Sequence, residues 1–147
     1  MKELFTFFLL GVGFSLFGQN SDSIAIASVI QSAYVEGLQN EGDSTKIDAG
    51  FHHQFQMIRR GENDDLILYP IGDWKARAIE AREKGFLPRP QEKKVSLEFI
   101  FIDVTKDAAV AKVKYIEGQE HTYTDYITLY KFGADWKIVS KAFHTIK

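Results

Sequence analysis

Four strand patterns separated by short turns fill the second half of the chain, and they constrain its fold more than any other feature. Apolar and polar residues alternate through 95–104, 108–116, 121–132 and 136–146. Such alternation is typical of strands with one buried face. The turns between them are too short for the crossovers that parallel strands need, so we expect an antiparallel meander.

Three helical patterns precede these strands. The polar cluster at 21–23, Asp43 and Asp73 are each predicted to cap the start of one helix. Two short strands, 54–60 and 66–69, are predicted between the second helix and the third. Helices first and strands afterwards predict an α+β class, with N-terminal helices packed on an antiparallel sheet.

Composition narrows the classes of function. A chain of 147 residues with 45% hydrophobic residues can fill the core of one domain. A net charge of -2 lacks the basic footprint of a nucleic-acid binder, so we expect no nucleic-acid partner. The chain has no cysteine, hence no disulfide, and no glycine loop for phosphates or serine nucleophile motif. We predict no cofactor.

The N-terminus has the pattern of a targeting segment. Lys2 precedes an uncharged run over 4–17, and small and polar residues follow it. A membrane-spanning helix needs about 20 apolar residues, so the run better suits a signal peptide. We predict cleavage between Gly18 and Gln19, a signal peptide over 1–18 and a single domain over 22–147. The mature protein would be periplasmic or secreted, with no membrane association. The alternative is an N-terminal anchor that is never cut.

The alternation also assigns the two faces of the predicted sheet. The face expected to meet the helices carries Leu97, Phe99, Phe101, Ala109, Ala111, Val113, Tyr115, Ile127, Leu129, Trp136 and Ile138. The opposite face is more apolar than a solvated face usually is, which predicts a homodimer through it. That outer face carries Ile100, Ile102, Tyr126, Tyr130, Val139 and Phe143, with Lys112, Lys114, Lys137 and Lys141 along its rim.

Several stretches resemble one known superfamily in their order and spacing. They are residues 34–43, 51–52, 108–113, 124–131 and 136–144. Together they resemble the nuclear transport factor two-like superfamily, and within it the group labelled putative lumazine-binding proteins. The resemblance implies a cone, in which a strongly bent sheet wraps on helices and leaves a pocket at its open end. The superfamily includes isomerases, dehydratases, carrier modules and proteins with no known ligand.

Asp125 and His144 are the candidate catalytic pair. Both fall on the predicted pocket face, and a tight final hairpin would place them opposite each other or one diagonal step apart. A carboxylate beside Ile127 and Tyr115 would be partly desolvated, which suits a general base. Ketosteroid isomerases of the same superfamily use a pocket acid in this way. The alternative is a structural buried pair.

Aromatic residues provide the candidate ligand-binding wall. His52 follows Phe51 at the predicted end of the second helix, where it could point into the mouth of the cone. Flat rings would stack on the aromatic side chains of such a cone. A metal site would need a third ligand at fixed geometry, so we predict none. The predicted ligand-binding residues are Tyr34, His52, Trp74, Phe99, Tyr115 and Trp136.

Three functions follow from these patterns. The first is a secreted or periplasmic binding domain for a small apolar or aromatic ligand. The second is an enzyme of isomerase or dehydratase type with Asp125 as general base. The third is a non-catalytic domain that dimerises or binds a partner through the apolar outer face.

Overall fold

The structure, a computed structural model, describes residues 15–146, with side chains from residue 21 onward. Helix α1 continues directly into a π-helix, and two further α-helices and a short 3-10 turn follow. The helical elements are α1 Ser15–Val29, the π-helix Ile30–Glu41, α2 Ser44–Gly50, α3 Ile71–Glu83 and the 3-10 turn Gln91–Lys93. The strands are β1 Phe51–Arg60, β2 Leu66–Pro70, β3 Val95–Thr105, β4 Ala108–Glu117, β5 Glu120–Phe132 and β6 Asp135–Thr145.

One six-stranded sheet with the order β2-β1-β6-β5-β4-β3 packs on the helices. Strands β3 to β6 form an antiparallel meander, which confirms the sequence prediction and the α+β class. The prediction that the whole sheet is antiparallel is wrong, because β1 runs parallel to β6, with Phe51 opposite Ile138. Most of the domain separates β1 from β6 along the chain, and this long connection permits the parallel pairing that short turns exclude.

The predicted helix starts are partly confirmed. Asp43 caps α2, since its Oδ1 accepts hydrogen bonds from the backbone N–H groups of Thr45 at 2.9 Å and Lys46 at 3.2 Å. The other two predicted caps are wrong. Helix α1 already begins at Ser15, before the polar cluster at 21–23. Helix α3 begins at Ile71, which places Asp73 in its first turn.

The predicted signal peptide lies mostly outside the described residues. Residues 1–14 are not described, and the predicted cleavage site falls within the backbone of α1. Signal cleavage therefore stays a prediction. Among the helices of residues 15–146, none is both long and apolar enough to span a bilayer.

A β-bulge in β3 changes the predicted faces of that strand. The β3–β4 register shifts between Phe99 and Phe101, so Ile100 is an extra residue. An extra residue inverts the alternation beyond it. Phe101 is therefore exposed on the outer face, and Ile102 packs against the core. The predicted positions of these two side chains are wrong.

A second bulge, in β6, has larger consequences. Along the pairing of β6 with β5, Ser140 follows Ile138 and leaves Val139 as the extra residue. The alternation inverts again, so Lys141 turns toward the helices and is buried. His144 turns to the outer face and is exposed. This single residue decides which side chains reach the interior.

A buried amide fastens the end of the π-helix to the sheet. Asn40 Nδ2 donates to the carbonyl oxygen of Val95 at 2.9 Å, and the Val95 backbone N–H donates to Asn40 Oδ1 at 2.8 Å. The π-helix ends at Gly42, whose positive φ of 64° suits a residue without a side chain. These contacts hold the π-helix across the inner face of the sheet. Buried apolar residues between the two layers include Ile26, Ile30, Ile47, Phe55, Val113, Ile127, Leu129 and Ile138.

Candidate functional site

Three polar side chains meet in the core at the inner face of the sheet. Lys141 Nζ lies 3.0 Å from Asp125 Oδ2, and the hydroxyl of Tyr34 donates to the same oxygen at 2.7 Å. Lys141 Nζ also donates to the Tyr34 hydroxyl oxygen at 2.9 Å. Each group thus touches both of the others, and we call Tyr34, Asp125 and Lys141 the buried triad.

The triad joins the two layers of the fold. Asp125 and Lys141 lie on the adjacent strands β5 and β6, and Tyr34 reaches them from the π-helix. A π-helix is a rare conformation that often occurs at functional sites. The bulge at Val139 supplies the lysine, and the π-helix supplies the tyrosine. Two local departures from regular geometry therefore build this cluster.

Aromatic rings enclose the ammonium group. Lys141 Nζ lies 4.7 Å from the ring centroid of Phe143, 5.0 Å from that of Tyr34 and 5.4 Å from that of Trp74. Ring faces at these distances attract a cation through their quadrupoles. The rings also exclude water, so the lysine has lost most of its hydration.

Burial sets the protonation chemistry of the triad. Desolvation lowers the pKa of Lys141, and the charge of Asp125 opposes that shift only in part. Desolvation also raises the pKa of Tyr34 well above its usual range, with a further contribution from the Asp125 charge. The second carboxylate oxygen, Asp125 Oδ1, is buried with no hydrogen-bond partner among residues 21–146. Such orphan acceptors are rare in protein cores.

The interior beside Asp125 is filled by the protein's own side chains. Asp125 has 0% of its surface exposed and Lys141 has 5%. The Tyr34 ring contacts the rings of Trp74 at 5.7 Å, Tyr115 at 6.2 Å and Phe51 at 6.5 Å between centroids. The carboxylate is therefore sealed from solvent.

An open cleft of about 640 Å³ is lined in part by Trp74. The Trp74 ring also lies against Lys141, so this residue contacts both the cleft and the triad. Gln39 forms another part of the wall, and its Oε1 accepts a hydrogen bond from the Tyr115 hydroxyl at 3.0 Å. The other lining residues are Leu38, Met57, Tyr69, Arg77, Ala78, Ala81, Gly85, Phe86, Leu87, Arg89, Pro90 and Lys93.

The cleft carries positive charge. Arg89 is partly neutralised by Glu117, whose Oε1 lies 2.6 Å from the guanidinium. Arg77 and Lys93 are exposed and form no ion pair within the described part of the chain. An apolar floor with cations at its edge is the composition of a site for a ring that carries an anionic group.

The predicted pairing of Asp125 with His144 is wrong. His144 lies opposite Thr124 on the outer face, and Asp125 lies opposite Phe143. The bulge at Val139 is the cause, because it exchanges the faces of every later residue in β6. The same shift overturns the predicted outer positions of Phe143 and Lys141. Whether Asp125 or His144 acts in catalysis stays a prediction.

The predicted ligand-binding residues separate into two groups. Tyr34, Trp74 and Tyr115 come together around the triad and the cleft wall. Phe99 packs against the core, and Trp136 donates its Nε1–H to Asp22 Oδ1 at 3.0 Å.

His52 follows the end of the second helix, as was predicted, but it lies within a strand. Helix α2 ends at Gly50 and β1 begins at Phe51, and the His52 ring stacks on the exposed ring of Phe132 at 4.9 Å between centroids. That His52 points into the mouth of the cone stays a prediction. Among residues 21–146, no group of three or more histidine, aspartate or glutamate side chains is placed to hold a metal ion.

The sequence analysis missed Lys141 and Phe143 as inner residues. Regular alternation from Trp136 places both outside, and only an extra residue in the strand reverses this. One signal was present in the sequence. The predicted register placed the polar Ser140 and His144 on the inner face, whereas a shift by one residue places Lys141 and the apolar Phe143 there. The strand pattern was therefore compatible with two registers.

Comparison with known proteins agrees with the fold. A crystal structure of an NTF2-like protein of unknown function from Shewanella baltica has 26% sequence identity and a TM-score of 0.65, covering 87% of this chain and 96% of that one. A second such protein, from Silicibacter pomeroyi, has 19% identity and a TM-score of 0.65, covering 86% and 98%. These similarities support the cone fold that the resemblance implied.

The amino-acid sequence is similar to one further protein and matches one protein family. A protein described as aldolase FrzH, from Cladobotryum sp, is 27% identical over 121 residues, which is 80% of this chain and 89% of that protein. Residues 21–144 match the family described as Putative lumazine-binding. This match spans nearly the whole of the described domain. The chain therefore belongs to the Putative lumazine-binding family, within the NTF2-like fold.

Proposed function

We propose that this chain is a small-molecule-binding domain whose ligand occupies the cleft beside Trp74. The observation that carries the proposal is the cleft itself, whose volume of about 640 Å³ lies within the range of small-molecule sites. Its lining includes aromatic and apolar side chains, and Trp74 in that lining also lies against the triad, which holds the only buried ion pair among residues 21–146. Membership of the family supports the same proposal.

The lining indicates the chemistry of the ligand. Trp74 and Tyr69 offer ring faces on which a flat heterocycle would stack. Arg77 and Lys93 provide charges that would bind a carboxylate or phosphate on that ring. We therefore propose a flat, anionic ligand. This proposed ligand keeps the aromatic ring expected from the sequence and adds a negative charge, which the sequence did not predict.

Calorimetric titration tests this binding. The probes are lumazine, a carboxylated derivative of the same ring and, as an uncharged comparison, a steroid. We expect the carboxylated heterocycle to bind most tightly, and Arg77→Gln to weaken that binding without changing the affinity for lumazine. The matched control is Arg59→Gln, an exposed arginine of β1 outside the cleft. Equal affinity of both arginine variants for the carboxylated probe would refute the proposed site.

A second candidate function is carbon–carbon bond chemistry. The favouring observation is the buried triad, which combines an amine, a carboxylate and a phenol within 3.0 Å contacts. The Cladobotryum relative is described as an aldolase, and aldol reactions belong to this class of chemistry. The isomerase or dehydratase mechanism predicted from sequence needs Asp125 to reach substrate directly, and its sealed position counts against that route. An aldol assay with small ketones and aldehydes, run on the protein and on Asp125→Asn, tests this candidate.

We further propose that the chain is exported. The supporting feature is Lys2 followed by the uncharged run over 4–17, and the predicted product is a periplasmic or secreted domain. Cell fractionation with N-terminal sequencing tests this. We expect the exported protein to begin near Gln19, and recovery of an uncut protein in the cytoplasm would refute export.

We also propose a homodimer through the outer face of the sheet. The exposed apolar side chains there include Ile100, Phe101, Tyr126 and Tyr130. Two such faces packed about a two-fold axis would bury about 800 Å² per partner, the size of a stable interface. Tyr130→Glu would then convert a dimer to a folded monomer in light scattering. A monomeric unmodified protein would refute the proposal.

A further inference from the structure

We propose that Lys141 is a nucleophilic amine that forms a Schiff base with a small aldehyde or ketone. This inference shares the cleft of the proposed function as its route of access and otherwise stands on the triad alone. The reacting atom is Lys141 Nζ. Its substrate is a small carbonyl compound, which need not be the ligand that binds in the cleft.

The position of Lys141 has no simple structural explanation. Lysine is among the residues least often fully buried, and a buried ion pair contributes little net stability because both charges lose their hydration. Replacing both members of such a buried pair by apolar side chains is often neutral for stability, so packing alone does not require a lysine between Tyr34, Trp74 and Phe143. A desolvated lysine is, in contrast, the usual form of an amine that reacts with carbonyl compounds. Burial lowers the pKa of Lys141, which favours the neutral amine that such a reaction needs.

The neighbouring groups account for the protons of the reaction. Asp125 Oδ2 lies 3.0 Å from Lys141 Nζ, so the carboxylate can accept the proton that the ammonium must lose. The amine then adds to the carbonyl carbon, and the carbonyl oxygen becomes a hydroxyl by taking that proton back. The nitrogen of the adduct then gives one of its two protons to the Asp125 carboxylate, which passes it to this hydroxyl. Loss of the hydroxyl as water leaves a protonated carbon–nitrogen double bond, and both protons of that water come from the original ammonium group. One C=O bond is broken, one C=N bond forms and no oxidant or reductant is consumed.

Tyr34 is a positioning residue for this step. Its hydroxyl donates to Asp125 Oδ2 at 2.7 Å and accepts from Lys141 Nζ at 2.9 Å. It therefore holds the amine and the carboxylate at a fixed separation. The unpartnered Asp125 Oδ1 is the second oxygen at which a proton can be held.

Trp74 controls access to the amine. Its ring centroid lies 5.4 Å from Lys141 Nζ, and Trp74 also lines the cleft. The residue is half-buried, and its ring packs against those of Tyr34, Phe51 and Phe55, so a rotation about its side-chain bonds that breaks these contacts would join the cleft to the triad. Removing this ring should therefore expose the lysine to a small reagent.

The test uses acetylacetone, a diketone that condenses with a neutral lysine amine, releases water and gives a stable enaminone with a near-ultraviolet band. We expect the band to form near neutral pH and peptide mapping to place it on Lys141 ahead of the surface lysines. Trp74→Ala should raise the rate of labelling several-fold. Lys141→Arg should lose the fast labelling, whereas the matched control Lys137→Arg, on the same strand but on its outer face, should retain it.

Two outcomes separate this inference from the proposed function. Labelling confined to surface lysines, in both the unmodified protein and Trp74→Ala, would overturn it, and this result does not depend on whether Lys141→Arg folds. Labelling of Lys141 without binding of the anionic heterocycles would instead overturn the proposed ligand and leave the Schiff base intact.

Discussion

Two aspartate–lysine pairs of the sheet differ mainly in burial, one between the adjacent strands β5 and β6 and the other between β5 and helix α1. Asp125 and Lys141 lie 3.0 Å apart with side-chain exposures of 0% and 6%. Asp22 of α1 and Lys131 of β5 lie 2.9 Å apart with exposures of 25% and 28%. Each aspartate has an aromatic donor as well, Tyr34 in the first pair and Trp136 in the second.

The contrast shows how solvent decides what the same groups do. At Asp22, hydrogen bonds from Lys131 and Trp136 outweigh desolvation and lower the pKa of the carboxyl, so the charged form is favoured. At Lys141, desolvation outweighs the attraction of Asp125 and lowers the pKa of the amine, so the neutral form gains. The partly exposed pair anchors a helix. In the sealed pair the loss of hydration has the larger influence on the amine.

The largest expected effect comes from removing one charge of each pair by the same substitution. Asp125→Asn should destabilise the protein by about 3 kcal/mol, because Lys141 remains buried without its counter-charge. Asp22→Asn should cost less than about 1 kcal/mol, as is typical of pairs near the surface. Urea unfolding of both variants measures the difference. Equal losses would mean that burial does not distinguish the two pairs.

An intermediate effect is expected from the aromatic donor of the sealed pair. Tyr34→Phe should cost about 2 kcal/mol near neutral pH, since the lost hydroxyl bonds a charged carboxylate in the core. The pKa of Tyr34 is raised, so its contribution is complete below the ordinary tyrosine value of about 10 and is lost as pH rises above it. The cost of the substitution should therefore shrink at alkaline pH in thermal unfolding. A cost that does not change with pH would contradict the assigned shift.

The smallest effect concerns the response of the exposed pair to acid and salt. The pKa of Asp22 is lowered, so its contribution is present above the ordinary aspartate value of about 3.9 and is lost as pH falls below it. The difference in melting temperature between the unmodified protein and Asp22→Asn should vanish in acid. It should also narrow in high salt, which screens a surface pair. The matched measurement on Asp125→Asn should be insensitive to salt, and a similar salt response in both would argue against the contrast.

The secondary-structure elements follow from the sequence more closely than the site does, for one physical reason. The antiparallel meander and the cap at Asp43 depend on neighbouring residues, which the sequence displays directly. The predicted grouping of Tyr34, Trp74 and Tyr115 also agrees with the structure, because the two helices and the sheet turn these three rings toward one another. The predicted end of the second helix near Phe51 also agrees with the structure, but β1 begins there and not at Gln54, so His52 lies within a strand.

The sequence by itself determined the α+β class, the order of the last four strands and the inner position of Asp125. Only the tertiary structure decided which basic residue meets that acid. Alternation has a period of two, so one extra residue at Val139 turns Lys141 inward and His144 outward, and the alternation alone does not say which of the two registers forms. The parallel pairing of β1 with β6 was equally hidden, because it joins segments distant in the chain. The contact of Lys141 with Asp125 and the pairing of β1 with β6 both depend on how distant segments pack together. The alternation along a single strand carries no information about that packing.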